Sequence, residues 1–262
     1  MAGPWTDAHC HLADPRLAGQ VEQVAVRSRR AGVVAWLQGG VEPSDWNRQR
    51  DVRARLGPGV RMAFGLHPWW CASASDSQID AGLAALEAQL GDADALGELG
   101  LDKHGRRRGG RIGLERQERA LIGQLEIARR QPRPLVLHVV RAHQQVLELL
   151  ERHGPFARGG LVHGFTGGAR EAHRYLELGF HLSLGGALAA RPERARQLAS
   201  VPPERIVLET DAPDRAPRAW QAASNEPAYL PRIARALAPT WDISAAELLD
   251  RAQLSLETLL AP

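Results

Sequence analysis

The 262-residue chain is 44% hydrophobic and 24% charged, enough apolar material for one large α/β domain and too much for a disordered chain. Its formal net charge is only +3, carried almost wholly by arginine with Lys103 as the single lysine, so basicity permits a phosphate-bearing partner without demanding one. Two cysteines make no disulfide framework, no run of about 18 apolar residues suggests a membrane span, and the start MAGPWTDAHC lacks signal-peptide regions, so a reduced cytoplasmic protein is expected, with a monomer as the default.

Eight β-rich runs follow one another along the chain. They are WTDAHCHL from Trp5, VVAWLQ from Val33, VRMAFGL from Val60, ALGELG from Ala95, PLVLHVV from Pro134, GLVHGF from Gly160, FHLSLGG from Phe180 and RIVLET from Arg205. Amphipathic segments lie between them, among them LAGQVEQVAVRSRRAG, which ends in Gly32, a C′ glycine. RQERALIGQLEIARR and AHQQVLELLERHG repeat the helical spacing, and NEPAYLPRIARALA and SAAELLDRAQLSLETLL close the chain. Eight strand–helix units in one domain spanning residues 1–262 have the rhythm of a (β/α)8 TIM barrel. A doubly wound open sheet shows the same alternation, but strand number favours the barrel. The segment DKHGRRRGGRIGL, from Asp102 to Leu114, looks least ordered.

Barrel enzymes place their active groups at the C-terminal ends of strands. Those ends carry His9 and His11, His67, Glu98 and Asp102, His138, His163, and Glu209 and Asp211. Five of the ten histidines lie there. Asp7, His9 and His11 alternate with Ala8 and Cys10, so on a regular strand the three polar groups share one face and Cys10 turns away into packing. A buried imidazole needs a hydrogen-bond partner or a metal. Four imidazoles (His9, His11, His138, His163) with Glu98 and Asp211 exceed the needs of one tetrahedral cation, and suit two divalent ions, Zn²⁺, Mg²⁺ or Mn²⁺. Glu98 is the natural bridge between them. Asp211 is the natural ligand and general base. Glu209 and Asp7 are positioned to orient ligands, and the role of Asp102 stays open.

The ordered motifs DAHCHL, GLHP, GELGLD, LVLH, VHGFTGG, SLGG and LETDAPD resemble the TatD-related DNase family over nearly the whole chain. The resemblance implies a TIM barrel and a metal-dependent deoxyribonuclease. It implies that His9, His11, Glu98 and Asp211 hold one metal, that Glu98, His138 and His163 hold a second, and that His67 faces the substrate or its water. Three departures stand out: Val139-Val140-Arg141 followed by Ala142-His143 after the fifth-strand histidine, Lys103-His104 and an arginine run after GLD, and the absence of an Asn and a Phe from LSLETLL. The first two bear on substrate choice and the third on C-terminal packing. Arg106, Arg107, Arg108 and Arg111 form either a phosphate-gripping loop or a solvated one. Trp69 and Trp70 either stack on bases or cover the barrel mouth.

Three functions fit this pattern. The first is hydrolysis of phosphodiesters in DNA, single-stranded or from ends, by a metal-activated water. The second uses the same site on a carbonyl, as an amidohydrolase or a deacylase of aminoacyl esters. The third is a barrel that binds without catalysis, which would show as a missing ligand; no ligand position is missing.

Overall fold

Eight strands run parallel in chain order: β1 (Trp5–Cys10), β2 (Val33–Gln38), β3 (Val60–Phe64), β4 (Ala95–Asp102), β5 (Leu135–Val140), β6 (Gly160–His163), β7 (Phe180–Leu184) and β8 (Ile206–Leu208). They are read from a computed structural model that describes residues 3–104, 110–216 and 224–261. Each strand is hydrogen-bonded to the next. The two outer strands meet through the segment after β8. The Asp211 N–H donates to the His9 carbonyl at 3.0 Å and the His11 N–H to the Ala212 carbonyl at 2.7 Å. The sheet therefore rolls into a nearly closed (β/α)8 barrel and not an open doubly wound sheet.

The helices are α1 (Val21–Arg30), α2 (Pro43–Leu56), α3 (Pro68–Ser73), α4 (Asp76–Gln89), α5 (Gly110–Arg130), α6 (His143–His153), α7 (Ala169–Glu177), α8 (Gly186–Ala189), α9 (Pro192–Ala195), α10 (Leu230–Leu237) and α11 (Ala245–Leu260). Their boundaries follow local chemistry. Gly32, at φ 88°, takes the left-handed position just past α1. Ser75 and Gln78 form a reciprocal capping box at the start of α4. Between helices and barrel lies a large apolar layer, in which Trp46 of α2 stacks on Phe64 of β3 with ring centroids 5.3 Å apart.

A second apolar cluster is separate from that layer. Ala8, Leu37, Ala63, Ala95, Val136, Leu161 and Val207 supply one residue from each of seven strands. Residues from seven strands can meet only on the barrel axis, so this cluster is the barrel interior. Leu256 and Leu259 of α11 complete it, and the C-terminal helix thus stoppers the barrel floor. The Trp5 indole donates to Asp250 at 3.0 Å and the Thr6 N–H to Gln253 at 2.7 Å, fixing that helix beneath β1.

Three expectations about elements are corrected. β4 continues past Gly100 to Asp102, because β5 pairs with it up to Val140. β8 stops at Leu208, so Glu209 and Asp211 lie in the loop that follows it; Asp211 has φ 59°, a left-handed turn that ends the ladder. The alternation in DAHCHL is broken, since the β1–β2 register shifts between Asp7 and Cys10. Ala8 points to the axis, and Asp7 turns instead toward Thr210.

Candidate metal centre

Two residues along their strands from the interior cluster, the axis becomes polar. Leu37, Val136, Leu161 and Val207 are followed by Gly39, His138, His163 and Glu209 at the C-terminal mouth. Glu98 of β4 lies at the centre, 1% exposed. Its two oxygens face different partners. Oε1 lies 3.6 Å from His9 Nε2 and 3.3 Å from His11 Nε2. Asp211 Oδ1 closes that group, 3.7 Å from His9 Nε2 and 3.5 Å from His11 Nε2. Oε2 lies 3.1 Å from His138 Nδ1 and 3.0 Å from His163 Nε2. All six residues expected to hold metal thus converge.

The donor set fits divalent cations on grounds internal to the structure. Burial should force each polar atom to find a partner. Both ring nitrogens of His9, Glu98 Oε1 and His163 Nδ1 are nevertheless buried without a hydrogen bond among the described residues. Ligand atoms of His9, Glu98 and His163 lie close enough together to share one ion, as do those of His9, His11 and Asp211 and those of His67, Glu98 and His138. Imidazole nitrogens with carboxylate oxygens are the donors that Zn²⁺ and its neighbours take.

His67 is also close, with Nε2 3.6 Å from Glu98 Oε2 and 3.2 Å from His138 Nδ1. Its Nδ1, however, accepts the Trp69 backbone N–H at 3.0 Å and caps α3. Burial holds this imidazole neutral, its pKa lowered to about 3. A neutral ring that accepts at Nδ1 carries its proton on Nε2. His67 therefore presents an N–H to the centre, which suits an oxygen of substrate or water better than a cation.

Without cations, protons occupy the centre. Burial works against charge on His11, but the Asp211 hydrogen bond and the Glu98 carboxylate outweigh it and raise its pKa to about 9. Burial likewise opposes charge on His163, and Glu98 and Glu209 win, raising it well above the usual range. Desolvation alone would raise Glu98, yet the surrounding imidazoles hold it well below the ordinary carboxylate range. Asp211 is held low in the same way, chiefly by its hydrogen bond with His11. His9 is pushed well below the ordinary imidazole range by burial and by the neighbouring His163, on which it stacks at 4.0 Å.

Around this set stands a layer of orienting groups. Asp102, whose role the sequence leaves open, approaches His138 Nε2 at 3.1 Å through Oδ2, directing Nδ1 at Glu98. The same oxygen accepts the Trp69 indole N–H at 2.5 Å. Glu209 Oε1 lies 3.5 Å from His163 Nδ1 and accepts the Gly164 N–H at 2.7 Å, and Oε2 accepts the Ser183 hydroxyl at 2.5 Å. Asp7 accepts the His9 and Thr210 N–H groups at 3.3 and 2.9 Å and also the Thr210 hydroxyl, tying β1 to the segment after β8. Burial pushes its pKa up to about 8. Cys10 is fully buried in the outer apolar layer, as expected of packing.

The mouth is a cavity of about 460 Å³ lined by His11, Glu98, His138, His163 and Asp211 together with Asp14, Arg16, His67, Trp69, Asp214 and Arg215. Trp69 is 43% exposed on its wall, whereas Trp70 packs inward against the outer core. Arg106, Arg107 and Arg108 lie outside the described residues, and so does the side chain of Arg111. Arg16 and Arg215 are additions that the sequence does not single out. Arg16 bridges Asp14 and Asp214 at 2.7 Å each, and Arg215 holds Asp211 Oδ2 at 2.9 Å. Both follow turns whose closure across the mouth has no periodic signal.

Residues 6–260 match the family model described as TatD related DNase. A protein of Escherichia coli (strain K12) named "Uncharacterized metal-dependent hydrolase YjjV" is 33% identical over 229 residues, covering 87% of this chain and 86% of that protein. "3'-5' ssDNA/RNA exonuclease TatD" of Rahnella sp. (strain Y9602) is 32% identical over 223 residues, 82% of each chain. The crystal structure of YjjV, a TatD homologue from Escherichia coli K12, superposes with a TM-score of 0.87 at 30% identity, covering 99% of this chain and 98% of that one. The chain belongs to the TatD related DNase family and is a metal-dependent hydrolase.

Proposed function

We propose that the chain cleaves phosphodiester bonds of single-stranded DNA, using two divalent cations of the Zn²⁺, Mg²⁺ or Mn²⁺ class. The carrying observation is Glu98, whose two oxygens are each surrounded by a different set of imidazoles. His9, His11, Glu98 and Asp211 would hold one cation, and Glu98, His138 and His163 the other. Such cations, when bound, stabilise charge on phosphoryl oxygens and lower the pKa of water. Asp211, ionised and at the cavity edge, accepts the proton of the attacking water. The His67 Nε2–H donates to a substrate oxygen. Asp102 fixes the ring of His138, and Glu209 that of His163. Trp69 offers an aromatic face to a base. A cavity of about 460 Å³ admits a nucleotide but not a duplex, which supports a single strand or a strand end. The names of the nuclease relatives point the same way.

The test sets single-stranded DNA beside a panel of carboxylic esters, amides and aminoacyl esters, each with and without chelator. Metal-dependent release of nucleotides, abolished by chelator, is expected. Rapid carbonyl hydrolysis with intact DNA would overturn the phosphodiester reading.

A further inference from the structure

A separate pocket of about 160 Å³ adjoins His163. Arg141, His143, His163, Gly164, Thr166 and Arg215 line it, with no carboxylate among its lining residues. This sets it apart from the catalytic cavity, whose wall carries Asp14, Glu98, Asp211 and Asp214. His163 and Arg215 belong to both, so the two spaces adjoin.

Its parts are those of an anion site. Arg141 is exposed, has no ion-pair partner among the described residues and stands at φ 55°, a left-handed turn between β5 and α6. Asp and Asn tolerate that conformation better than arginine does, so the strain marks a position held by its surroundings. α6 starts two residues on, with no side-chain cap and no acidic residue in its first turn, so its positive dipole end is unneutralised there, and its first residue, His143, lines the pocket. His143 is fixed by Tyr175, whose hydroxyl lies 3.2 Å from Nδ1. Thr166 adds a hydroxyl from the loop after β6.

We infer that this pocket seats a second phosphate of the substrate, next to the one at the metal centre, with Arg141 as its principal contact. The inference rests on the phosphodiester reading and sharpens it: the preferred substrate carries at least two phosphates. That second phosphate is either a terminal monoester or the next backbone diester.

Three thymidine substrates separate these cases: d(TpT), d(TpTpT) and d(pTpTp). The metal-loaded wild-type enzyme should show a higher kcat/KM for at least one phosphate-rich substrate than for d(TpT). Arg141→Asn, which suits the left-handed backbone, should reduce that advantage about tenfold or more, the scale of a lost charge-assisted hydrogen bond. Arg141→Lys should keep part of it, and Thr166→Val should lower it less. An advantage confined to d(pTpTp) assigns the pocket to a terminal phosphate, and one shared by d(TpTpT) assigns it to the backbone. Calorimetric binding of methylphosphonate-linked dinucleotides, with and without terminal phosphates, repeats the comparison without turnover. No advantage in the wild type, or the same advantage in Arg141→Asn, overturns the subsite. A binding advantage that Arg141→Asn removes, in an enzyme that cleaves none of the three, upholds the subsite while the nuclease reading fails.

Discussion

Glu98 works through geometry as much as charge, because one side chain serves two groups of imidazoles. Glu98→Gln keeps the shape and removes the anion. Divalent content, measured by elemental analysis, should fall below two per chain, with hydrolysis reduced by more than about a hundredfold. Asp102→Asn leaves every first ligand in place and loosens only His138, so metal affinity should weaken about 10–100-fold. Gly39 gives a different test. A Cβ there would stand 2.4 Å from His9 Cε1 and 2.8 Å from Glu98 Oε1. Gly39→Ala should therefore cut metal occupancy with unchanged circular dichroism, though no ligand is replaced. The protons at the centre set a pH dependence. His11 holds its proton up to about pH 9, and a coordinating imidazole must be neutral. Apparent metal affinity should rise as pH increases toward 9, and calorimetry in buffers of differing ionisation heat should register proton release.

At the scale of elements, α11 has a role its amphipathic pattern does not reveal. Periodicity shows which face is apolar, and not what that face meets. Leu256→Ala opens the barrel floor, and urea denaturation should show a loss of about 2–5 kcal/mol. Metal affinity should be nearly unchanged, since the interior cluster separates that leucine from the ligands. The same contrast explains what was legible beforehand. All eight strands, and the convergence of the six residues expected to hold metal, can be read because buried imidazoles on apolar strands have few other uses. Asp102, Gly39 and Arg215 were harder, since an acid at a strand end, a glycine or a loop arginine fits many settings. Asp7 was misplaced onto the face of His9 because a register shift leaves no mark in an alternating string. Its link to Thr210 depends on strands from opposite ends of the chain.

Considered whole, the molecule is a ring joined at one place. β1 and the segment after β8 meet through two backbone hydrogen bonds and through Asp7, and His9, His11 and Asp211 sit on that join. Cations bound there, as proposed, would favour the closed ring by mass action. Chelator should lower the melting temperature of the wild type, and should lower that of Asp211→Asn much less.

The position of that join also bears on how the protein is made. His9 and His11 leave the ribosome long before Asp211 and the stoppering helix. The join between β1 and the segment after β8 cannot form until Asp211 has emerged. If His9, His11 and Asp211 share a cation as proposed, metallation follows the emergence of both ends of the barrel, and cells starved of divalent ions should accumulate apoprotein that activates on later addition of metal without new synthesis.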